Sequence, residues 1–172
     1  MSDWPFVCMV PGDPIGKGRA RGTSVGGYVR LYTPKKTADW ERSAALVMSQ
    51  YWRKPPIDGC VEVEIMAMFA RPKRLLRKKD PDGLIWKPTK PDSDNIEKSA
   101  WDSLVMAGVV RDDCQVVINH TWCCYAPRDL GPRLCIRVRE AGPEPQSGWW
   151  DSIPGPVFVG YSGEVDVESS GF

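Results

Sequence analysis

Asp92, Asp94, Lys98, Asp112 and Asp113 fall within one short stretch of the chain, from Pro91 to Asp113. Magnesium and manganese take oxygen ligands, commonly one or a few carboxylates completed by water and phosphate. Asp92, Asp94 and Asp113 are therefore candidate ligands for a hard divalent cation, with Asp112 as a helper beside them. Lys98 follows Asp94 by four residues, so on a helix both project from one face together with Asp102. An ammonium placed there suits a phosphate whose negative charge grows during attack. A plainer account covers part of the set. Asp94 with Glu97 three residues on is a variant of the capping box, and Asp94 with Lys98 is an ordinary i, i+4 ion pair. Neither explains Asp92 or the Asp112-Asp113 pair.

These residues need elements to position them. Ile96, Ala100, Leu104 and Ala107 recur at helical spacing from about Asp94, and Gly108 is a natural stop. Asp92 and Asp94 would sit at the start of that helix and Asp113 beyond its end, at the entrance to a strand over Gln115 to Tyr125. The tertiary fold must therefore bring Asp113 to the other two. Upstream, Phe6 to Val10 reads as a strand, residues 12 to 27 as a glycine-rich basic loop, and Tyr28 to Tyr32 as a strand after the Gly26-Gly27 turn. Thr33-Pro34 opens a helix to about Trp52, with Trp40, Ala44, Val47, Met48 and Tyr51 on its apolar face. Val61 to Ala70 alternates Val61, Val63, Ile65, Ala67 and Phe69 with Glu62 and Glu64, a strong strand pattern. Residues 71 to 90 read as a long connection, and Leu134 to Arg139 as a strand paired antiparallel with Gln115 to Tyr125 through the Pro127 to Pro132 turn.

With 42% hydrophobic and 26% charged residues, the 172-residue chain has the composition of a soluble globular domain. No apolar run approaches the roughly 18 residues that cross a bilayer, and the Met-Ser-Asp-Trp-Pro start lacks the features of a signal peptide. The expectation is a cytoplasmic protein without membrane association. The six cysteines contain no Cys-x-x-Cys, which points to reduced, mostly buried thiols. The net charge of +1 hides a segregation: all 23 Lys and Arg lie at or before Arg139, and six of the 22 acids follow it, leaving +7 before and −6 after. A basic body with an acidic tail suggests a polyanionic partner, most commonly nucleic acid, the plainer alternative being that the excess Lys and Arg only solvate the surface. Lys17, Arg19 and Arg21, with Arg71, Lys73, Arg74, Arg77, Lys78 and Lys79, are the candidate DNA contacts. Residues 1–140 are expected as the functional domain and 141–172 as an acidic, Pro-, Gly- and Ser-rich tail.

Two other motifs fail. Gly12 to Gly18 is one residue short of a phosphate loop and has glycine where a hydroxyl must meet magnesium; Gly22-x-Ser24-x-Gly26 leads into a strand where a nucleophile elbow leads into a helix.

Taken in order, the motifs resemble the RusA family of Holliday-junction resolvases over residues 5 to 139. The resemblance rests on Gly12-x-Pro14-x-x-Lys17-x-Arg19-x-Arg21, Thr33-Pro34-x-x-Thr37, Lys90-Pro91-Asp92-x-Asp94-Asn95-x-x-Lys98 with Asp102, and Asp112-Asp113-x-Gln115-Val116. Ala20 departs from the proline often found there, and Trp122 to Cys124 occupy the neighbourhood of a lysine common in the family. The resemblance implies a small α/β (α+β mixed) domain with a mixed sheet of about four to five strands and two main helices. It further implies a homodimeric endonuclease that uses Mg2+ or Mn2+, with no small-molecule cofactor, to cut branched four-way DNA by paired nicks. In that carry-over Asp92, Asp94 and Asp113 hold metal and Lys98 is catalytic. The competing readings are a non-catalytic protein that binds branched DNA and a less selective flap or fork nuclease.

Overall fold

A computed structural model describes residues 4–25 and 28–142. The tail expected from residue 141 onward therefore lies almost wholly outside the described residues. The elements run β1 (Phe6–Pro11), β2 (Arg21–Val25), β3 (Tyr28–Tyr32), α1 (Lys35–Tyr51), β4 (Val61–Phe69), β5 (Ile85–Trp86), α2 (Ser93–Met106), β6 (Val116–Tyr125) and β7 (Arg133–Glu140), with 3-10 turns at Lys73–Leu75 and Asp113–Gln115. The expected class holds: two helices accompany a mixed five-stranded sheet of order β1-β7-β4-β6-β5, and β2 and β3 form a separate ribbon.

β4 is the centre because its sequence suits no other place. Val61, Val63, Ile65 and Ala67 are wholly buried, on the face that receives the helices. Its other face is lined by Glu62 and Glu64, which are not solvent-facing as simple alternation suggests. Glu62 is 8% exposed and accepts from Nε of Arg139 at 2.7 Å, and Glu64 accepts from Nε of Arg137 at 2.6 Å, both donors on β7. Pairing with a guanidinium across the strand satisfies the buried Glu62 carboxylate and the partly exposed Glu64. Phe6, Cys8 and Val10 of β1, Leu134, Ile136 and Val138 of β7, Ala44 and Met48 of α1, and Ile96, Ala100 and Leu104 of α2 complete the core.

The connectivity differs from the simple reading in one respect. β6 and β7 are not neighbours: β4 lies between them, parallel to β6 and antiparallel to β7. A short turn after β6 favours a hairpin locally, but β4 is the most buried strand and needs a partner on each edge. Chain proximity therefore yields to burial. The parallel β4-β6 pair requires a crossover, and α2 lies in it. Gly108, at φ +71, ends α2 as its position foretold. Two further elements were not foreseen: β2 inside the basic loop, and β5 within the 71–90 connection.

Because Ile65 is fully buried at the centre of the sheet, Ile65→Ala should lower unfolding free energy by about 2–5 kcal/mol and Ile65→Val by about 1 kcal/mol. Urea denaturation of the two variants measures both, and an equal small loss would contradict the packing described.

Candidate functional site

The first turn of α2 presents Asp92 and Asp94 without engaging either as a cap. Asp92 is the N-cap residue, yet its side chain makes no capping hydrogen bond, and Asp94 lies inside the first turn. The helix thus begins two residues earlier than the capping-box spacing implies, so Asp94 and Glu97 do not form that box. Both carboxylates stand beside the positive end of the helix dipole. Lys98 Nζ lies 3.4 Å from Asp94 Oδ2, with the two side chains 58% and 59% exposed. An ion pair that open to water is worth a few tenths of a kcal/mol. Its ammonium is free to meet another anion.

The loop entering the helix is tied from below. Lys87 Nζ donates to the carbonyls of Thr89, Lys90 and Pro91 and sits 4.2 Å from the centre of the Phe69 ring. A concave surface formed by Lys87 to Ser93 and Cys123 of β6 lies at this end of the molecule. Burial raises the Cys123 thiol pKa while nearby Lys87 lowers it, and the net rise keeps the thiol protonated at neutral pH. In the sequence Lys87 carries no signal beyond its charge, because its three acceptors are backbone carbonyls that no motif encodes.

A second tie comes from the N-terminal basic segment. Lys17 N–H donates to the Asn95 carbonyl at 2.7 Å and Ser99 Oγ donates to the Ile15 carbonyl at 2.6 Å, so residues 15 to 17 run along the first turns of α2. A Cβ on Gly16 would come within 2.9 Å of Pro91 Cβ and one on Gly18 within 2.8 Å of Pro34 Cγ, which explains glycine at both places. Between them the Lys17 ammonium donates to Glu41 Oε1 of α1 at 2.8 Å and to Asp102 Oδ2 of α2. Burial alone would lower the Lys17 pKa, but its two carboxylate partners outweigh it and hold the ammonium above the ordinary lysine range. Burial pushes the Glu41 carboxyl up against the pull of Lys17. Lys17, a candidate DNA contact by sequence, is thus a structural tie between the two helices.

The remaining candidates divide in the same way. Arg71 donates to the carbonyls of Ala126, Pro81, Asp82 and Gly83, and Arg77 pairs with Asp80, so both brace the 71–90 connection. Arg19, Lys73, Arg74, Lys78 and Lys79 are exposed. Arg21 opens β2, opposite Tyr32.

Asp113 does not join Asp92 and Asp94 within one chain. Asp92 stands at the N-terminal end of α2, whereas Asp113 follows the helix's C-terminal end, and 14 residues separate the two ends by about 21 Å. Strand pairing places them likewise: Asp113 precedes Val116 at the start of β6, and the Asp92 loop lies against Cys123 near its finish. Among the described residues of one chain, no three His, Cys, Asp or Glu side chains are grouped to hold a metal ion. Asp112 has a local task. Its carboxylate accepts from Cys114 N–H at 2.9 Å while Gln115 Oε1 accepts from Asp112 N–H at 3.1 Å, closing a capping box on the 3-10 turn. Hydrogen bonds from the Cys114 side chain and backbone N–H hold its pKa below the usual carboxylate range. The six cysteines are free thiols; Cys60 and Cys114 are exposed, and only Cys8 and Cys124 are fully buried.

Comparison with known proteins bears on this arrangement. Residues 11–139 match the family described as Endodeoxyribonuclease RusA, a span that includes both ties, α2 and the Asp112-Asp113 turn. The chain belongs to the RusA family. It is also 32% identical over 136 residues to a Bacillus subtilis (strain 168) protein described as "Uncharacterized protein YqaN", covering 76% of this chain and 93% of that one. In this RusA-family chain no helix among the described residues is long and apolar enough to cross a membrane.

Lys17 and Lys98 should therefore separate cleanly in stability. Lys17→Met leaves Glu41, with its side chain 3% exposed, beside an unpaired Asp102 and should cost about 2 kcal/mol, less than a fully buried pair because Lys17 and Asp102 stay partly open. Lys98→Met should change unfolding free energy by less than about 0.5 kcal/mol. Since the folded Lys17 pKa is raised, the wild-type advantage over Lys17→Met is present below the ordinary lysine pKa of 10.5 and is lost as pH rises through the folded value. Thermal denaturation of the three proteins from pH 7 to 11 reads all of this.

Proposed function

We propose that this RusA-family protein is a metal-dependent endodeoxyribonuclease that resolves four-way DNA junctions as a homodimer. The reading is carried by the pair of uncapped carboxylates, Asp92 and Asp94, with the Lys98 ammonium beside them at a helix N-terminus, in a chain whose family is endodeoxyribonuclease. Asp92, Asp94 and Asp113 are the oxygen donors that would hold Mg2+ or Mn2+. The ion, when bound, supplies activation of a water and neutralisation of charge at the scissile phosphate. Lys98 donates to the phosphate oxygen on which negative charge develops. Lys87 and the Ile15–Lys17 segment hold the first turn of α2 in place around it. The exposed cations of the body, Arg19, Lys73, Arg74, Lys78 and Lys79, take DNA backbone phosphates.

The separation of Asp113 from Asp92 and Asp94 supports the dimer. A site needing all three carboxylates has to draw Asp113 from a second copy, and a two-fold dimer then holds two equivalent sites for two symmetric cuts. Asp94→Asn should keep junction binding and lose metal-dependent nicking by about a hundredfold or more, as for loss of a group that acts on the reacting phosphate. Cleavage of labelled four-way, forked and linear substrates with and without Mg2+, beside a gel-shift assay, measures both properties. Undiminished cutting would remove Asp94 from the site, and equal cutting of all three substrates would point to a less selective nuclease.

Sharing of the site has its own signature. Asp94→Asn and Asp113→Asn should each be inactive alone. After the two are unfolded and refolded together, nicking should return to about a quarter of the wild-type level, because half of the dimers then hold one intact site. A mixture no more active than its components would place all three carboxylates in a single chain.

A further inference from the structure

Among the described residues β2 and β3 pair only with each other, so the ribbon they form stands apart from the five-stranded sheet. Within β3, Tyr28, Val29, Leu31 and Tyr32 are 79%, 72%, 72% and 46% exposed. Alternation puts Val29 and Leu31 on one face and Tyr28 and Tyr32 on the other. The first face has some packing of its own: Val29 and Leu31 close over Gly22, where a Cβ would come within 3.1 Å of Val29 Cγ1. The tyrosine rings stand open to water, about 13 Å apart along the strand. A patch of large, mainly apolar side chains this dense marks a surface that meets a partner. The ribbon is also rooted at the candidate site. Just before β2, Lys17 N–H donates to the Asn95 carbonyl of α2 and Gly18 N–H donates to Thr37 Oγ1 of α1 at 3.2 Å. Just after β3, Pro34 lies against Gly18 and leads into α1. Both strands therefore spring from beside the turn of α2 that carries Asp92 and Asp94. From Pro14 to Ala38 the chain holds six Lys and Arg and no Asp or Glu. Arg19, Lys35 and Lys36 are exposed near the foot of the ribbon, and Arg21 and Arg30 belong to its strands.

We propose that this ribbon enters the branch point of four-way DNA, where Tyr28 and Tyr32 stack on bases that the branch uncovers. The inference rests on the nuclease reading above and names the part of the molecule that selects branched over linear DNA. Phosphates alone would be met by the cations and leave the tyrosines without a purpose. In a continuous duplex each base pair is covered by its neighbours, so an inserted ring must first bear the cost of unstacking them. At a branch the stack is already interrupted and that cost falls. Stacking of bases on aromatic rings then adds to the electrostatic affinity that the cations give to any DNA. The two contributions divide by residue: Arg19, Lys35 and Lys36 hold backbone of any shape, whereas Tyr28 and Tyr32 favour the branch. A five-residue strand is about 16 Å long, or about five base steps. A ribbon of that reach, rooted beside Asp92 and Asp94, keeps the branch close to the phosphate that is cut.

The test is binding by the full chain, read by fluorescence anisotropy on a labelled four-way junction and on a linear duplex of equal strand length, without metal so that nothing is cut. Wild type should prefer the junction. Tyr28→Ala and Tyr32→Ala should each weaken junction binding by about tenfold and linear binding by less than about twofold, while Tyr28→Trp and Tyr32→Trp should keep the preference. Arg19→Met should weaken both substrates alike. The replaced side chains are exposed, so circular dichroism of every variant should match wild type. 2-Aminopurine placed next to the branch gives an independent reading: its emission should change when wild type saturates the junction and stay constant when the double variant Tyr28→Ala, Tyr32→Ala does. Alanine variants that keep the preference, that lose affinity for both substrates equally, or that leave the 2-aminopurine response intact would each overturn the proposal. Binding of wild type to phosphatidylserine vesicles that the alanine variants abolish would assign the ribbon to a lipid surface instead, and a changed sedimentation coefficient of those variants without DNA would assign it to contact between copies. No step here requires metal or cleavage. A protein that prefers the junction through its tyrosines but never nicks it keeps the ribbon and loses the nuclease reading, and one that nicks junctions selectively with both tyrosines replaced does the reverse.

Discussion

The ammonium of Lys17, lodged between Glu41 of α1 and Asp102 of α2, joins three segments that are far apart in the chain. Around it the backbone of Ile15 and Lys17 bonds to Ser99 and Asn95, and the missing side chains of Gly16 and Gly18 let that backbone lie close against Pro91 and Pro34. The angle at which α2 leaves the sheet, and so the position of Asp92 and Asp94, depends on this contact. Glu41 is tolerable in the core only because Lys17 answers it. The same pairing occupies Asp102, which stands one helical turn beyond Lys98 and would otherwise compete for its ammonium. Lys98 is left turned toward Asp94.

The sheet supplies the complementary constraint. β4 is the most buried strand and takes a partner on each edge, which forces the parallel β4-β6 pair and the crossover containing α2. As a result the helix and β6 run in opposite senses, and the carboxylates near their ends are divided between the two ends of the molecule. Topology, more than any local interaction, keeps Asp113 away from Asp92 and Asp94 in a single chain.

Local patterns carried most of the fold. Ile96, Ala100, Leu104 and Gly108 marked α2 and its end, and the alternation from Val61 to Phe69 marked the central strand, because periodicity reports burial directly. What could not be read locally was non-local by nature. Lys17 finds partners 24 and 85 residues away, and next to Arg19 and Arg21 its sequence context indicates only a basic loop. The order of β6, β4 and β7 is decided by competition for the core, against the short turn that follows β6. Asp94 was ambiguous between capping and chemistry until the helix start at Asp92 removed the first of these.

The guanidinium of Arg71 is held by backbone carbonyls of Ala126, Pro81, Asp82 and Gly83, and that of Arg128 by those of Leu76, Arg77 and Asp80. Arg128 also pairs with Asp82 and Arg77 with Asp80, but carbonyls are neutral dipoles, so dissolved ions screen the carbonyl contacts far less than they screen those ion pairs or the exposed lysines of the same connection. Rising ionic strength would therefore strip a polyanion from Lys73, Lys78 and Lys79 while the backbone that carries them keeps its shape. On the proposed reading, in which those lysines hold DNA, the connection would let its ligand go without itself coming apart.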